Sequence, residues 1–198
     1  PKNIELFTGS IDDNNVNFFF GGAMDVLQPY IDAGKLVVPS GQMTKDEVAT
    51  ANWATDAAQA RFENILSSNY ADGTPLHAVL ASNDSTALGV TNALAANYTN
   101  DVYPVITGQD CDIANVPNIV NGKQAMSVFK DTRTLATKVV EMVDAIMTGG
   151  EAPVNDTKTY DNGTGIIPSY LCEPVAVTAD NYKEILIDSG YYTEDQIQ

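Results

Sequence analysis

Ala78-Val79-Leu80-Ala81-Ser82-Asn83-Asp84-Ser85-Thr86-Ala87-Leu88-Gly89 is the stretch on which the fold turns. Val79, Leu80 and Ala81 suit a strand buried on both faces. A polar corner follows, then the start of a helix. Ser85 is the expected cap, since its hydroxyl can accept a first-turn N–H. Asn83 and Asp84 then lie beyond the strand's carboxyl end, where open α/β sheets bind small ligands. The same residues also read as a plain strand–helix turn rich in turn formers.

Working outward, strand and helix patterns alternate along the whole chain. Asn3 to Thr8 alternates and turns apolar, a strand; Gly9 to Asn14 is an Asp-rich loop. Asn17 to Ala33 is helix-spaced and ends at Gly34. Leu36 to Pro39 is a short strand, Ser40 to Glu47 a polar loop, and Thr50 to Tyr70 a long helix. Beyond the central corner come helix Thr86 to Tyr98, strand Val102 to Thr107 and a short irregular or helical piece, Ile113 to Asn121. Strand Ala125 to Lys130 precedes helix Thr132 to Met147, capped by Asp131 and stopped by Gly149-Gly150. An extended stretch, Ile166 to Val177, and a short helix, Ala179 to Asp188, close the pattern. Alternation with short connections predicts an α/β fold: three layers, a parallel sheet with helices on both faces.

The 198 residues suffice for one good core or two small lobes, and no apolar run approaches membrane-spanning length. The net charge of −16, with ten Lys and Arg in all, argues against nucleic acid. It suits a neutral ligand and a periplasmic or extracellular setting, and equally plain solubility. Two cysteines, Cys111 and Cys172, are too few for a disulfide framework, though they could pair. The single histidine, His77, falls in a strand pattern, where a core or edge position is the ordinary reading.

Parallel strands share a carboxyl edge, so several polar groups should converge on one rim. They are Asn83-Asp84, Gln109-Asp110, Lys130-Asp131 and the loop Asp12 to Asn17. Asn, Asp and Lys supply the donors and acceptors that hydroxyl groups need. Trp53 can offer a flat face to the apolar side of a sugar ring, or can be core packing. Asp84 can equally be a helix-start carboxylate, and Lys130 with Asp131 a solvated ion pair. Catalytic signatures are missing: no nucleophile elbow, phosphate loop, dinucleotide fingerprint or zinc motif occurs. Asp12-Asp13-Asn14-Asn15 matches a calcium loop in composition only. No cofactor is implied.

Several stretches together resemble the periplasmic sugar-binding proteins of ABC transporters, in particular the xylose and multiple-monosaccharide branch. They include Thr8 to Asn15, Gly22 to Leu36, Gly108-Gln109-Asp110, Phe129 to Arg133, Asn155 to Tyr160, Pro168 to Leu171 and Pro174 to Thr178. The resemblance implies a ribose-binding-like type I fold, two α/β lobes with a monosaccharide between them, and an ABC permease as partner. It implies no enzymatic turnover, and a periplasmic or membrane-anchored location. It places residues 1–130 in the C-terminal sugar-binding lobe, 131–168 in an excursion toward the N-terminal lobe, and 169–198 in a returning hinge strand. The opening segment of the N-terminal lobe then lies outside this sequence. The helix face of 131–168 is expected to be exposed, and so mobile, refolded or self-associated.

The same resemblance implies the ligand contacts. Trp53 matches the aromatic that stacks on the sugar ring. Asn83, with Asp84 beside it, matches the amide that bonds ring hydroxyls. Asp110 matches the carboxylate gripping two hydroxyls, and Lys130 the polar residue at the hinge. Asn15 and Asn17 lie where relatives place a polar or Arg contact, and Asn17 supplies no cation. The effector domain of a LacI-type repressor shares the fold and is the alternative, followed by a sugar-processing enzyme. A repressor needs a basic helix-turn-helix upstream, and an enzyme needs a catalytic pair.

Overall fold

The computed structural model describes residues 1–197. Two compact units are present: residues 1–128 with 176–198, and residues 129–175.

In the first unit, β1 (Lys2–Phe7) leads to α1 (Asn15–Asp32), β2 (Leu36–Val37), α2 (Lys45–Val48) and α3 (Thr55–Asn69). Then come β3 (Ala78–Ala81), α4 (Asp84–Asn97), β4 (Val105–Ile106) and α5 (Val116–Val120). The strand order is β2-β1-β3-β4 and every pairing is parallel. Register runs Ile4↔Ala78 to Phe7↔Ala81 between the two central strands. A parallel bridge, Gln109↔Val128, continues the sheet beyond β4 toward β5 (Ser127–Phe129), which pairs with β6 (Val175–Val177). The chain is thus an α/β lobe with a parallel sheet and helices on both faces.

The two layers of helices follow from which strand side chains point where. Ile4 and Leu6 face α1, packing with Val16, Phe20, Val38 and Val48. Phe7, Val79, Ala81 and Ile106 face α3 and α4, packing with Phe62, Ile65, Val90 and Leu94. Phe7 and Phe62 meet edge to face at 5.4 Å. Since β1 is covered on both sides, Glu5 is fully buried among these apolar residues. Its carboxylate accepts hydrogen bonds from Ser40 N (3.1 Å), Ser40 Oγ (2.6 Å) and Tyr70 Oη (2.8 Å). Burial still wins, and the Glu5 carboxyl sits above its ordinary range.

Three local expectations are corrected. The long helix from Thr50 is broken: a single 3₁₀ turn, Ala51–Trp53, precedes α3 because Asn52 and Trp53 adopt left-handed backbone (φ 54° and 55°). The polar loop before it holds α2, nucleated by a capping box between Thr44 and Glu47. Asn83, not Ser85, caps α4: its Oδ1 accepts from Thr86 N at 3.0 Å while its Nδ2 donates to Ser85 Oγ at 2.7 Å. Asp131 pairs with Arg133 at 2.8 Å. His77 lies just ahead of β3, its Nδ1 accepting the Asn3 N–H at 3.0 Å.

The second unit is built on α6 (Thr132–Met147), capped by Asp131 through Arg133 N. No residue of this helix is buried, and Val139, Val140, Val143, Ile146 and Met147 stand exposed. The rest is irregular, held by the bridges Asp156↔Ser169 and Asp161↔Ile166. The Asn155 side chain acts as a strand partner there, donating to Leu171 O and accepting from Leu171 N.

Candidate functional site

Strand order 2-1-3-4 puts the crossovers from β1 and from β2 on opposite sides of β1. The carboxyl ends of β1 and β3 therefore part, and a crevice opens between the loops that leave them. On the β1 side the loop is Thr8–Asn14. It is fastened to the segment ahead of α3 by Thr8 N→Val48 O (2.9 Å) and Thr50 N→Gly9 O (3.1 Å). Asn52 N adds a bond to Ser10 Oγ (3.2 Å). These ties bring the half-buried Trp53 indole directly over Gly9. A Cβ at Gly9 would lie 2.1 Å from the ring, so only glycine admits the indole there. Trp53 Nε1 donates to Asp13 Oδ2 at 3.1 Å, and Phe19 meets the ring obliquely at 6.4 Å. The result is an open hollow of about 490 Å³ lined by Ser10, Asp12, Asp13, Asn14, Asn52 and Trp53.

Asn15 opens α1 at the lip of this hollow, its N–H donating to Asp13 Oδ1. Asn17 is exposed, in the first turn of the helix, with its Nδ2 on Asn14 Oδ1. A cation does stand beside Asn17: Lys45 of α2 donates to Asn17 Oδ1 at 2.6 Å. Lys45 lay hidden in a stretch that reads as loop. The capping box around it is the signal that could have placed it.

On the β3 side, Ser82 Oγ lies 3.2 Å from Phe7 O and from Thr8 Oγ1, stitching the two strand ends together. Asn83 follows, almost fully buried, its amide half spent on capping α4. Asp110 follows the Gln109 bridge beyond β4 with φ 97°, and Cys111 comes next at φ 52°. The Asp110 N–H is held by Val128 O at 2.8 Å. Asp84 N donates to Gln109 O (2.9 Å), which ties the Asn83 and Asp110 corners to each other.

Asp84 itself is not on the rim. It is fully buried, with both carboxylate oxygens engaged. Oδ1 accepts from Gln124 Nε2 and Ser127 Oγ, each at 2.8 Å, and Oδ2 accepts from Asp112 N at 2.9 Å. Asp84, expected beside Asn83 as a ligand contact, thus lies beneath the surface. Burial lifts its carboxyl to about 6 against the pull of those hydrogen bonds. Lys130 belongs to the second unit, half-buried, immediately before the α6 cap. Cys111 and Cys172 are free thiols, and no cluster of three or more His, Cys, Asp or Glu suited to a metal occurs among the described residues.

An open hollow at the carboxyl edge, with an aromatic plate beside amides and carboxylates, suits a small-ligand-binding lobe of the open α/β class. Residues 1–151 match the family described as periplasmic binding protein domain, and the chain belongs to that family. It is 51% identical, over its whole length, to a multiple sugar-binding periplasmic protein (SbpA) of Azospirillum brasilense, of which it spans 56%. It also resembles a solved ABC transporter solute-binding protein of Clostridium phytofermentans with bound β-D-glucose: 68% identity, TM-score 0.97, all of this chain and 61% of that one. A carbohydrate transporter solute-binding protein of Chloroflexus aurantiacus in complex with D-glucose gives 34% identity and a TM-score of 0.86, over 98% of this chain and 61% of that one. The chain thus spans little more than half the length of the relatives it matches.

Proposed function

We propose that this chain is the C-terminal lobe of a solute-binding protein that captures a monosaccharide and delivers it to an ABC permease. The work takes place in the periplasm or at the outer cell surface, and the role is binding, not turnover. Residues 1–130 and 169–198 form the lobe, and 131–168 reach toward the other one. The observation that carries the reading is the Trp53 plate beside a polar rim at the β1/β3 parting, in a chain 68% identical to a glucose-bound solute-binding protein.

In this reading the indole covers the apolar face of a pyranose, and Asp110 accepts from two adjacent hydroxyls. Asn83 donates its remaining N–H to a third. Asn15 and Asn17, with Lys45 behind Asn17, close the lip, and Lys130 contributes from the hinge end. Among the described residues no helix is long and apolar enough to cross a membrane.

The test is calorimetry on the full-length protein with D-glucose and D-xylose. Asp110→Ala removes an ionised acceptor for two hydroxyls and should weaken binding by roughly 10- to 150-fold. Trp53→Ala should cost about 10-fold through lost stacking area. Wild-type affinity in both variants would refute the assignment of the site.

A further inference from the structure

Asp110 owes its place on the rim to an unfavourable backbone. Residues with a Cβ avoid the left-handed region, yet Asp110 and Cys111 occupy it in succession (φ 97° and 52°). Something must hold them there; Asp110 N donates to Val128 O at 2.8 Å, and the backbone groups on either side of Asp110 lead to Asp84. Gln109 O accepts from Asp84 N at 2.9 Å. Asp112 N donates to Asp84 Oδ2 at 2.9 Å. Cys111 N donates to Ser127 Oγ at 3.0 Å, and that hydroxyl in turn donates to Asp84 Oδ1 at 2.8 Å. Gly108 admits no Cβ because Asp84 Oδ1 would lie 2.1 Å from it.

A second ring of bonds fixes the carboxylate in turn. Asn115 Nδ2 donates to Asp84 O and to Gln124 Oε1, both at 2.8 Å. That orients the Gln124 amide so that its NH₂ faces Asp84 Oδ1 at 2.8 Å. Three donors thus converge on one buried carboxylate. An amide or a protonated acid in its place would set a donor against one of them.

We propose that Asp84 is a positioning residue for ligand binding: its buried carboxylate locks the Gly108–Asp112 turn in the conformation that presents Asp110 to the sugar. This rests on the reading of Asp110 as a sugar contact. Asp84 does not touch the ligand, because it has no exposed surface. The groups facing it are acidic or neutral: Asp112, the Cys111 thiol, the Tyr192 hydroxyl that donates to Cys111 O, Gln124 and Ser127. In that company and at that depth the carboxyl takes up a proton at about pH 6. Protonation relieves the cost of burying the charge, yet it turns one acceptor into a donor facing Ser127 Oγ or Asp112 N; the turn is then held less closely, and affinity falls on acidification through that pH.

The experiment uses the full-length protein, D-glucose as the probe, and calorimetry between about pH 5 and 8, bracketing the titration. Asp84→Asn keeps the shape and removes the charge. It should weaken glucose binding by about 10-fold at pH 7.5, one charge-assisted hydrogen bond, and flatten the pH profile. Ser127→Ala should weaken it by about 3-fold and keep the inflection, because only the Cys111 arm is lost. In NMR spectra of the wild type, the Asp112 and Cys111 amide resonances should titrate with the same midpoint as the Asp84 carboxyl carbon. If Asp84→Asn does not fold, Ser127→Ala and this titration decide. Wild-type affinity and pH profile in Asp84→Asn, with binding lost in Asp110→Ala, would overturn the positioning role and leave the site intact. An Asp110→Ala protein that binds normally would overturn both. Amide resonances that ignore the Asp84 titration would overturn the lock.

Discussion

Replacing Gly9 by alanine adds one methyl group where the Trp53 indole already lies. The new Cβ would stand 2.1 Å from Cε2 and Cζ2 and 2.2 Å from Cη2. Carbon atoms settle at about 3.5–4.0 Å, so the ring must withdraw by roughly 1.5 Å. Its backbone is tethered by Trp53 N→Thr50 O at 3.1 Å, so the side chain swings instead. The swing breaks Nε1→Asp13 Oδ2, now 3.1 Å, and the contact with Phe19. Together these cost about 2 kcal/mol. Against this, Gly→Ala lowers the entropy of the unfolded chain and contributes about 0.4–1 kcal/mol of stability. Gly9 does not sit at positive φ, so alanine adds no backbone strain. The net expectation is a stability loss of about 1 kcal/mol with a larger effect on function, about 10-fold weaker glucose binding once the plate has tilted. Thermal unfolding and glucose calorimetry on the full-length protein measure the two effects. Gly21→Ala, with nothing within 4 Å of the added methyl group, is the control and should stabilise α1 slightly. A Gly9→Ala protein with wild-type affinity and unfolding temperature would refute the stacked geometry.

Gly89→Ala pits helix propensity against packing. Alanine gains about 1 kcal/mol in α4, but its Cβ would lie 2.3 Å from Thr55 O and 2.8 Å from Gln59 N, both backbone atoms of α3. Backbone cannot step aside, so a net loss of about 1–3 kcal/mol is expected from overpacking, read as a lower unfolding temperature. The pH dependence of stability should carry the mark of Asp84. Its folded-state value, about 6, lies above the ordinary 3.8, so its contribution is full below the latter and is lost as pH rises through the former. Relative to Asp84→Asn, wild-type stability should fall by up to about 3 kcal/mol from pH 4 to 7 in denaturant titrations. Exposed carboxylates held low, such as Glu47 and Asp72, act in the opposite sense but cancel in that difference. Burial pushes the Cys111 thiol up to about 12, while Cys172 is partly exposed. Iodoacetamide at pH 8 should label Cys172 in the native protein and reach Cys111 only on unfolding, as peptide mapping would reveal.

The elements that the sequence announces are those whose signals are local. α6 runs from Thr132 to Met147 as its periodicity, its Asp131 cap and its Gly149 stop indicate. β3 and the alternation around it led directly to a parallel sheet. Glu5 was harder, since its alternation with Ile4 and Leu6 mimics a half-exposed strand. Only the arrival of α3 on its other side makes it a buried carboxylate. The break at Asn52 and Trp53 has no periodic trace either. It is imposed by bonds to Gly9 and Ser10, some forty residues earlier. Asn83 and Asp84 are neighbours of similar chemistry, and nothing local separates the rim residue from the one beneath it. Their difference comes from Gln124 and Ser127, which the fold brings under the corner from afar. Family membership was legible because the resemblance runs through motifs along the whole chain.

The strand at the start of this sequence is the one at the middle of the sheet. Lys2 waits for Leu36, and Ile4 for Ala78, before either has a neighbour. During synthesis, β1 and the loop that carries half the rim must leave the ribosome well before their partners exist. Until Ala81 emerges, Ile4, Leu6 and Phe7 have no sheet to lie in. Such non-local pairing slows folding and leaves apolar strand exposed meanwhile. The order of the strands that opens the crevice thus also sets how long the nascent chain depends on being kept apart from its neighbours.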